Sequence, residues 1–159
     1  MKKILVFIFV VIAITPTSIC QVNPNAIGLR GGRGNLGTGA ELTYQKGIGE
    51  ANRLELDIGL RSSSNFSYFT LTGIYHWVKP ITDGLNWYAG PGLQAGYHSS
   101  SFNNLPNGIF IGIGGQLGLE FDFNDELDIP LLISIDTRPM FGFGVGFNYG
   151  GNLALRYTF

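Results

Sequence analysis

The last nine residues constrain the chain most. In Gly151-Asn152-Leu153-Ala154-Leu155-Arg156-Tyr157-Thr158-Phe159, every odd position from Leu153 is large and apolar and every even one is small or polar. Alternation of this kind is the pattern of a strand with one apolar face. Running to a final Phe, such a strand would leave a water-soluble sheet with a greasy, unprotected edge. In a membrane barrel it closes the sheet against the first strand and turns its apolar side to lipid. The expected fold is therefore all-β: an up-and-down antiparallel barrel that spans a membrane.

The start of the chain agrees with that address. Met1-Lys2-Lys3 is a basic lead, Ile4 to Ile14 is an apolar run, and Thr15 to Cys20 brings Pro16 and small polar residues, the three parts of a secretory signal. The run is too short to cross about 30 Å of hydrocarbon as a helix. Ser18 and Cys20 stand as the small residues before a cut, so residues 1–20 read as a signal peptide and residues 21–159 as the barrel. Ile19, in the place where a lipoprotein signal carries a small residue, argues against acylation of Cys20. A chain cut before Gln21 holds no cysteine, hence no disulfide, thiolate ligand or thiol nucleophile. Loss of Lys2 and Lys3 leaves eight bases against eleven acids, a formal charge of −3 with no basic patch to suggest nucleic acid.

About 139 residues then remain for one domain. Glycine at 24 positions beside 12 Phe, 7 Tyr and only 13% charged residues is the mixture that alternating lipid-facing and lumen-facing positions produce. At about 17 residues per strand with its connection, the chain allows about eight strands. The alternation places them at about 26–32, 38–46, 52–61, 66–78, 85–97, 108–121, 127–136 and from about 147 to the end. Strand three is the clearest, with Leu54, Leu56, Ile58 and Leu60 set against Arg53, Glu55, Asp57 and Gly59. Connections near 47–51, 79–84 and 122–126 are assigned to the periplasm, and those at 32–38, 61–66, 98–107 and 137–146 to the outside. Aromatic spacing agrees with this layout. Trp87 to Tyr97, and Phe147 to Tyr157, are ten residues apart on one face, which at a tilt of about 40° separates them by about 25 Å along the membrane normal. Trp77, Trp87, Tyr97, Phe147, Tyr157 and Phe159 are the expected interfacial girdles.

The leader at 1–20, the segment Leu85-Asn86-Trp87-Tyr88-Ala89-Gly90-Pro91-Gly92-Leu93, the segment from Asp128-Ile129-Pro130-Leu131 to Arg138-Pro139 and the ending Leu155-Arg156-Tyr157-Thr158-Phe159 carry a resemblance. The chain resembles the small outer-membrane barrels of the OmpA/OmpX type, in the style of the porin-like barrels of Bacteroidota. The resemblance implies a Gram-negative outer membrane, contact with its lipid and insertion by the barrel-assembly machinery through a terminal strand ending in Phe. It implies little about activity, since such barrels serve many ends.

Four patterns bear on chemistry. Gly32-Arg33-Gly34-Asn35-Leu36-Gly37 has the spacing of a dinucleotide fingerprint, with Asp57 at the acidic position, but no helical pattern follows it and a Gly-rich hairpin loop explains it. His98 and Ser100 are similar to the pair used by outer-membrane lipid deacylases, yet no acid lies on the neighbouring part of strand six to orient the base. His76 has no second His or Cys at ligand spacing and reads as a member of a polar network rather than a metal ligand. The fourth pattern is the set of inward charges: Arg30, Glu41, Arg53, Glu55, Asp57, Arg61, Glu120, Asp128, Asp136, Arg138 and Arg156. Every base among them is Arg, whose rigid fork suits a packed network of ion pairs. Arg156 is expected to pair with Asp128 or Glu120, a second cluster to join Arg30, Glu41 and Asp57, and inward glycines to make room.

The reading that follows is a monomeric, plugged barrel with no catalytic, cofactor or metal site, serving a structural or surface-interaction role. A narrow channel or small-molecule binder is the alternative, and a lipid-modifying enzyme ranks behind it.

Overall fold

The computed structural model describes residues 22–100 and 107–159, so the leader and most of the 98–107 loop lie outside the described residues. The chain forms β1 (Asn25–Gly34), β2 (Gly37–Gly47), β3 (Asn52–Ser62), β4 (Phe66–Thr82), β5 (Leu85–Ser100) and β6 (Gly108–Asp122). A short helix α1 (Phe123–Leu127) precedes β7 (Leu131–Thr137), β8 (Met140–Phe143), β9 (Gly146–Asn148) and β10 (Gly150–Thr158). Neighbours in sequence pair antiparallel, and Ala26 to Gly34 of β1 pairs with Thr158 to Gly150 of β10, which closes the sheet into a barrel. Phe159 completes the seam by exchanging two backbone hydrogen bonds with Asn25, at 2.9 and 3.1 Å.

The ten segments make eight spanning strands. Register is unbroken from Leu117↔Thr137 to Gly114↔Met140, so β7 and β8 are one strand interrupted at Arg138-Pro139, and Gly115 N still donates to Pro139 O at 3.1 Å. The same holds for β9 and β10 across Tyr149. Proline lacks the donor that a ladder needs, which is why the segment divides without losing register. The expected loop at 137–146 is thereby corrected: strand seven runs on to Phe143, and the connection is a tight turn at 143–146 with Gly144 and Gly146 at positive φ.

The start of strand seven is also corrected. Leu127, Ile129 and Leu131 continue the alternation of the strand, but Asp122 accepts a hydrogen bond from Asn124 N and caps α1, and Asp128 ends it in the left-handed region at φ 52. Local capping overrides the period-two pattern here. Asp128 is consequently exposed and not in the lumen.

Even-numbered positions of the strands face inward and odd ones outward over most of the barrel. Leu29, Leu60, Leu93, Ile111, Ile135 and Leu155 are more than half exposed on the outer face, from strands all around the wall. Trp77, Tyr157 and Phe159 lie on this face near the rim that holds both described chain ends, here called the terminal rim, with Trp87 half-buried beside them. Tyr97, Phe141, Phe143 and Phe147 lie towards the opposite, distal rim. No helix among the described residues is long and apolar enough to cross a membrane.

Candidate functional site: the filled lumen

The lumen is built from the inward positions of the eight strands, and strand tilt lets a side chain meet partners two or more strands away. Its centre is one connected set of ion pairs. Arg30 of β1 holds Asp136 of β7 through two nitrogens and Glu41 of β2 at 2.5 Å. Arg138 spreads its fork over four groups, donating to Gln116 Oε1, Glu41 Oε2 and Glu55 Oε1, each at 3.0 Å, and to Asp57 Oδ2. Arg156 reaches Glu55 Oε2 at 2.9 Å, Ser134 Oγ at 2.8 Å and Thr43 Oγ1 at 3.2 Å. Arg61 closes the distal side on Glu41 Oε1 at 3.2 Å and Asn152 Oδ1 at 2.8 Å.

Nearer the terminal rim, Arg53 grips Glu120 with two nitrogens at 3.0 and 2.5 Å and donates to His76 Nδ1 at 3.3 Å. Its guanidinium lies 4.7 Å over the Tyr88 ring, and the Tyr88 hydroxyl donates to Asp136 at 3.3 Å, which ties this pair to the central set. The ion-paired arginines are Arg30, Arg53, Arg61, Arg138 and Arg156, and the carboxylates are Glu41, Glu55, Asp57, Glu120 and Asp136. Five charges of each sign leave the set neutral. Taking this many ions from water is costly, and what offsets the cost is that each carboxylate accepts from at least one fork.

Two further layers close the barrel. On the distal side Tyr68, His98 and Phe110 stand with ring centroids 6.4 Å apart in each pairing, and Met140 is buried as well. On the terminal side Val22 packs against Val78 and Tyr88. The segment before β1 is pinned there by Val22 N to Glu50 O at 3.0 Å, by Gly47 N to Pro24 O at 2.9 Å and by the Asn23 side chain donating to Asp122. Glycines give the long side chains their room: a Cβ on Gly59 would stand 2.4 Å from Glu41 Cγ, and one on Gly118 would stand 2.5 Å from the Tyr88 hydroxyl.

Measured against expectation, Arg30, Glu41, Arg53, Glu55, Asp57, Glu120, Asp136 and Arg156 are all buried in the lumen, and Asp128 is not. The expected pairing of Arg156 with Asp128 or Glu120 is replaced by Arg156 with Glu55, while Glu120 takes Arg53. Arg30 and Glu41 do pair, and Asp57 joins them through Arg138, which holds both carboxylates. The expected partners lie one or two strands away, whereas in a narrow tilted barrel a long side chain crosses the lumen. The sequence reading did not recognise the aromatic cap or the segment at 22–24. Its available signal was Tyr68, Ile74, Phe110 and Met140, large residues on the even face.

The other patterns fall into place structurally. Gly34 to Gly37 is the β1–β2 turn, with Gly37 at φ 103. His98 has ring contacts with Tyr68 and Phe110 and no hydrogen bond to a carboxylate among the described residues, and Ser100 N donates to Asn107 Oδ1 at 2.8 Å. No group of three His, Cys, Asp or Glu among the described residues is arranged to hold a metal ion.

No family model and no curated protein matches the sequence. Solved structures do. Neisserial surface protein A superposes with a TM-score of 0.63 at 13% identity, over 85% of this chain and 96% of that one. The N-terminal β-barrel domain of Pseudomonas aeruginosa OprF gives 0.63 at 18% identity, over 87% and 100%. This chain has the fold of a small eight-stranded outer-membrane barrel. Ail, the attachment invasion locus protein of Yersinia pestis, is similar at a TM-score of 0.50 and 16% identity, over 85% and 96%.

Proposed function

We propose that this chain is an outer-membrane β-barrel protein, a monomer with a structural or surface-interaction role and no enzymatic activity. The observation that carries the reading is the inversion of a soluble protein: an apolar outer wall around a lumen filled by buried ion pairs. An apolar surface circling a whole barrel far exceeds the few hundred Å² that a soluble monomer exposes, and lipid is the solvent it fits. The terminal rim then faces the periplasm and the distal rim the outside. The barrel-assembly machinery inserts the chain through β10, and the aromatic residues at the two rims lie at the interfaces. A surface role is favoured by the similarity to Neisserial surface protein A and to an attachment invasion locus protein. The filled lumen weighs against a channel, and among the described residues no carboxylate pairs with His98, which weighs against the lipid-hydrolase arrangement.

Fractionation with a heat-modifiability assay tests the address. The full chain is expected in the outer-membrane fraction, migrating faster on gels before boiling than after; recovery in the soluble periplasmic fraction would refute it. Intact mass of the extracted protein is expected to correspond to a chain starting at Gln21. A mass retaining an acylated Cys20 would replace that processing with lipoprotein anchoring.

A further inference from the structure

At the distal rim a small recess of about 20 Å³ opens beside the β1–β2 turn. On that measure one water takes about 10–15 Å³, so the recess admits one or two light atoms, and the rest of a ligand would stay outside the rim. Its mouth is fixed. The Asn35 side chain donates to Phe147 O at 2.9 Å and accepts from Tyr149 N at 2.9 Å, stapling the turn to the strand-eight interruption.

The inner lining contains Arg61, Arg138, Glu41, Asn148, Asn152 and Gln94. Asn148 is only 9% exposed, and its Nδ2 has no hydrogen-bond partner among the described residues. A buried donor left unpaired costs about 1–3 kcal/mol, so a site that keeps one gains from a ligand that accepts from it. Arg61 makes both of its hydrogen bonds through Nη2, to Glu41 and Asn152, which leaves Nη1 and Nε without partners among the described residues. Glu41, the one carboxylate of the lining, is already held by Arg30, Arg61 and Arg138. The lining thus offers two guanidiniums to one committed carboxylate, together with an amide donor that lacks an acceptor.

We infer that this recess is a binding site for a carboxylate group whose oxygens accept hydrogen bonds from Asn148 Nδ2 and Arg61, carried by a small ligand that approaches the distal rim. The chemistry is that of a two-oxygen acceptor against a planar fork plus an amide. Its carrier is either a free small acid or an acidic sugar. The inference gives a ligand chemistry to the rim placed outside under the proposed function. Its test runs in detergent micelles, where orientation has no part, so failure would count against the site and leave the address untouched.

Acetate titrated into the folded full chain, followed through the Asn148 side-chain amide and the Arg61 Nε–H resonances so that each variant keeps one reporter, is expected to give a saturable shift. Acetamide, the same size without the charge, is expected to give none. Asn148→Ala and Arg61→Gln are each expected to weaken acetate binding by at least about tenfold, the loss of one charge-assisted hydrogen bond. If Arg61→Gln loses the folded gel mobility, Asn148→Ala carries the comparison alone, because it touches no ion pair. Glucuronate distinguishes the carriers: saturation by it too means that a sugar fits at the rim of the recess, and saturation by acetate alone means a free small acid. No saturable shift with acetate, an equal shift with acetamide, or unchanged affinity in Asn148→Ala would overturn the site and leave a water-filled recess.

Discussion

Arg138 is the residue on which most of the lumen converges, and its partners are not equally dependent on it. Glu41 keeps Arg30 and Arg61, and Glu55 keeps Arg156, but Asp57 has Arg138 as its one ion-pair partner among the described residues. Arg138→Met should therefore leave one buried carboxylate uncompensated and destabilise the barrel by about 3–5 kcal/mol. Arg138→Met with Asp57→Asn should recover part of that loss, a coupling readable from urea unfolding in lipid or detergent as a double-mutant cycle. The exposed Arg33→Gln serves as a control and should change stability by less than about 0.5 kcal/mol. Gly118→Val is a second residue-scale case. The added carbon meets Tyr88 and must push its hydroxyl from Asp136, so a cost of about 1–3 kcal/mol is expected in the same unfolding measurement. At this scale the sequence told which strand charges face inward, because alternation fixes the face of a residue within a strand, and it failed for Asp128, which caps a helix. It did not tell who pairs with whom. Arg156 meets Glu55 across the lumen, a relation set by strand tilt and stagger, which a pattern of period two does not encode.

Among the elements, β10 was legible as the closing strand, and its register with β1 runs the length of both. Phe159 adds two backbone hydrogen bonds with Asn25 and an outward ring contact with Tyr157. Deletion of Phe159, or Phe159→Asp, should reduce outer-membrane abundance more than any single change in a loop. Wild-type abundance with normal heat-modifiability would mean that closure does not depend on this residue. Elsewhere a stronger local signal competed with the alternation. In Asp122-Phe123-Asn124-Asp125-Glu126-Leu127-Asp128, an Asp before a run rich in acids is a helix-start signature, yet Leu127, Ile129 and Leu131 keep the strand rhythm, so the strand reading ran four residues too far. The interruption at Arg138-Pro139 misled in the opposite sense: a proline read as the beginning of a loop sits inside a strand that keeps its register on both sides.

At the scale of the whole molecule, three layers stand in series along the barrel axis. The segment at 22–24 lies over Val78 and Tyr88, the neutral ion network fills the middle, and Tyr68, His98 and Phe110 occupy the distal part. An eight-stranded barrel is just wide enough for its own side chains to fill, and here inward glycines let arginines lie across it. That filling is what separates a structural or surface protein from a pore. The direct measurement is single-channel recording from the purified full chain in planar bilayers at neutral pH. No stable conductance steps are expected across the usual voltage range, with insertion verified independently by protease protection in the same lipid. Reproducible, ohmic steps from the folded protein would show a continuous water path through the lumen and contradict the account.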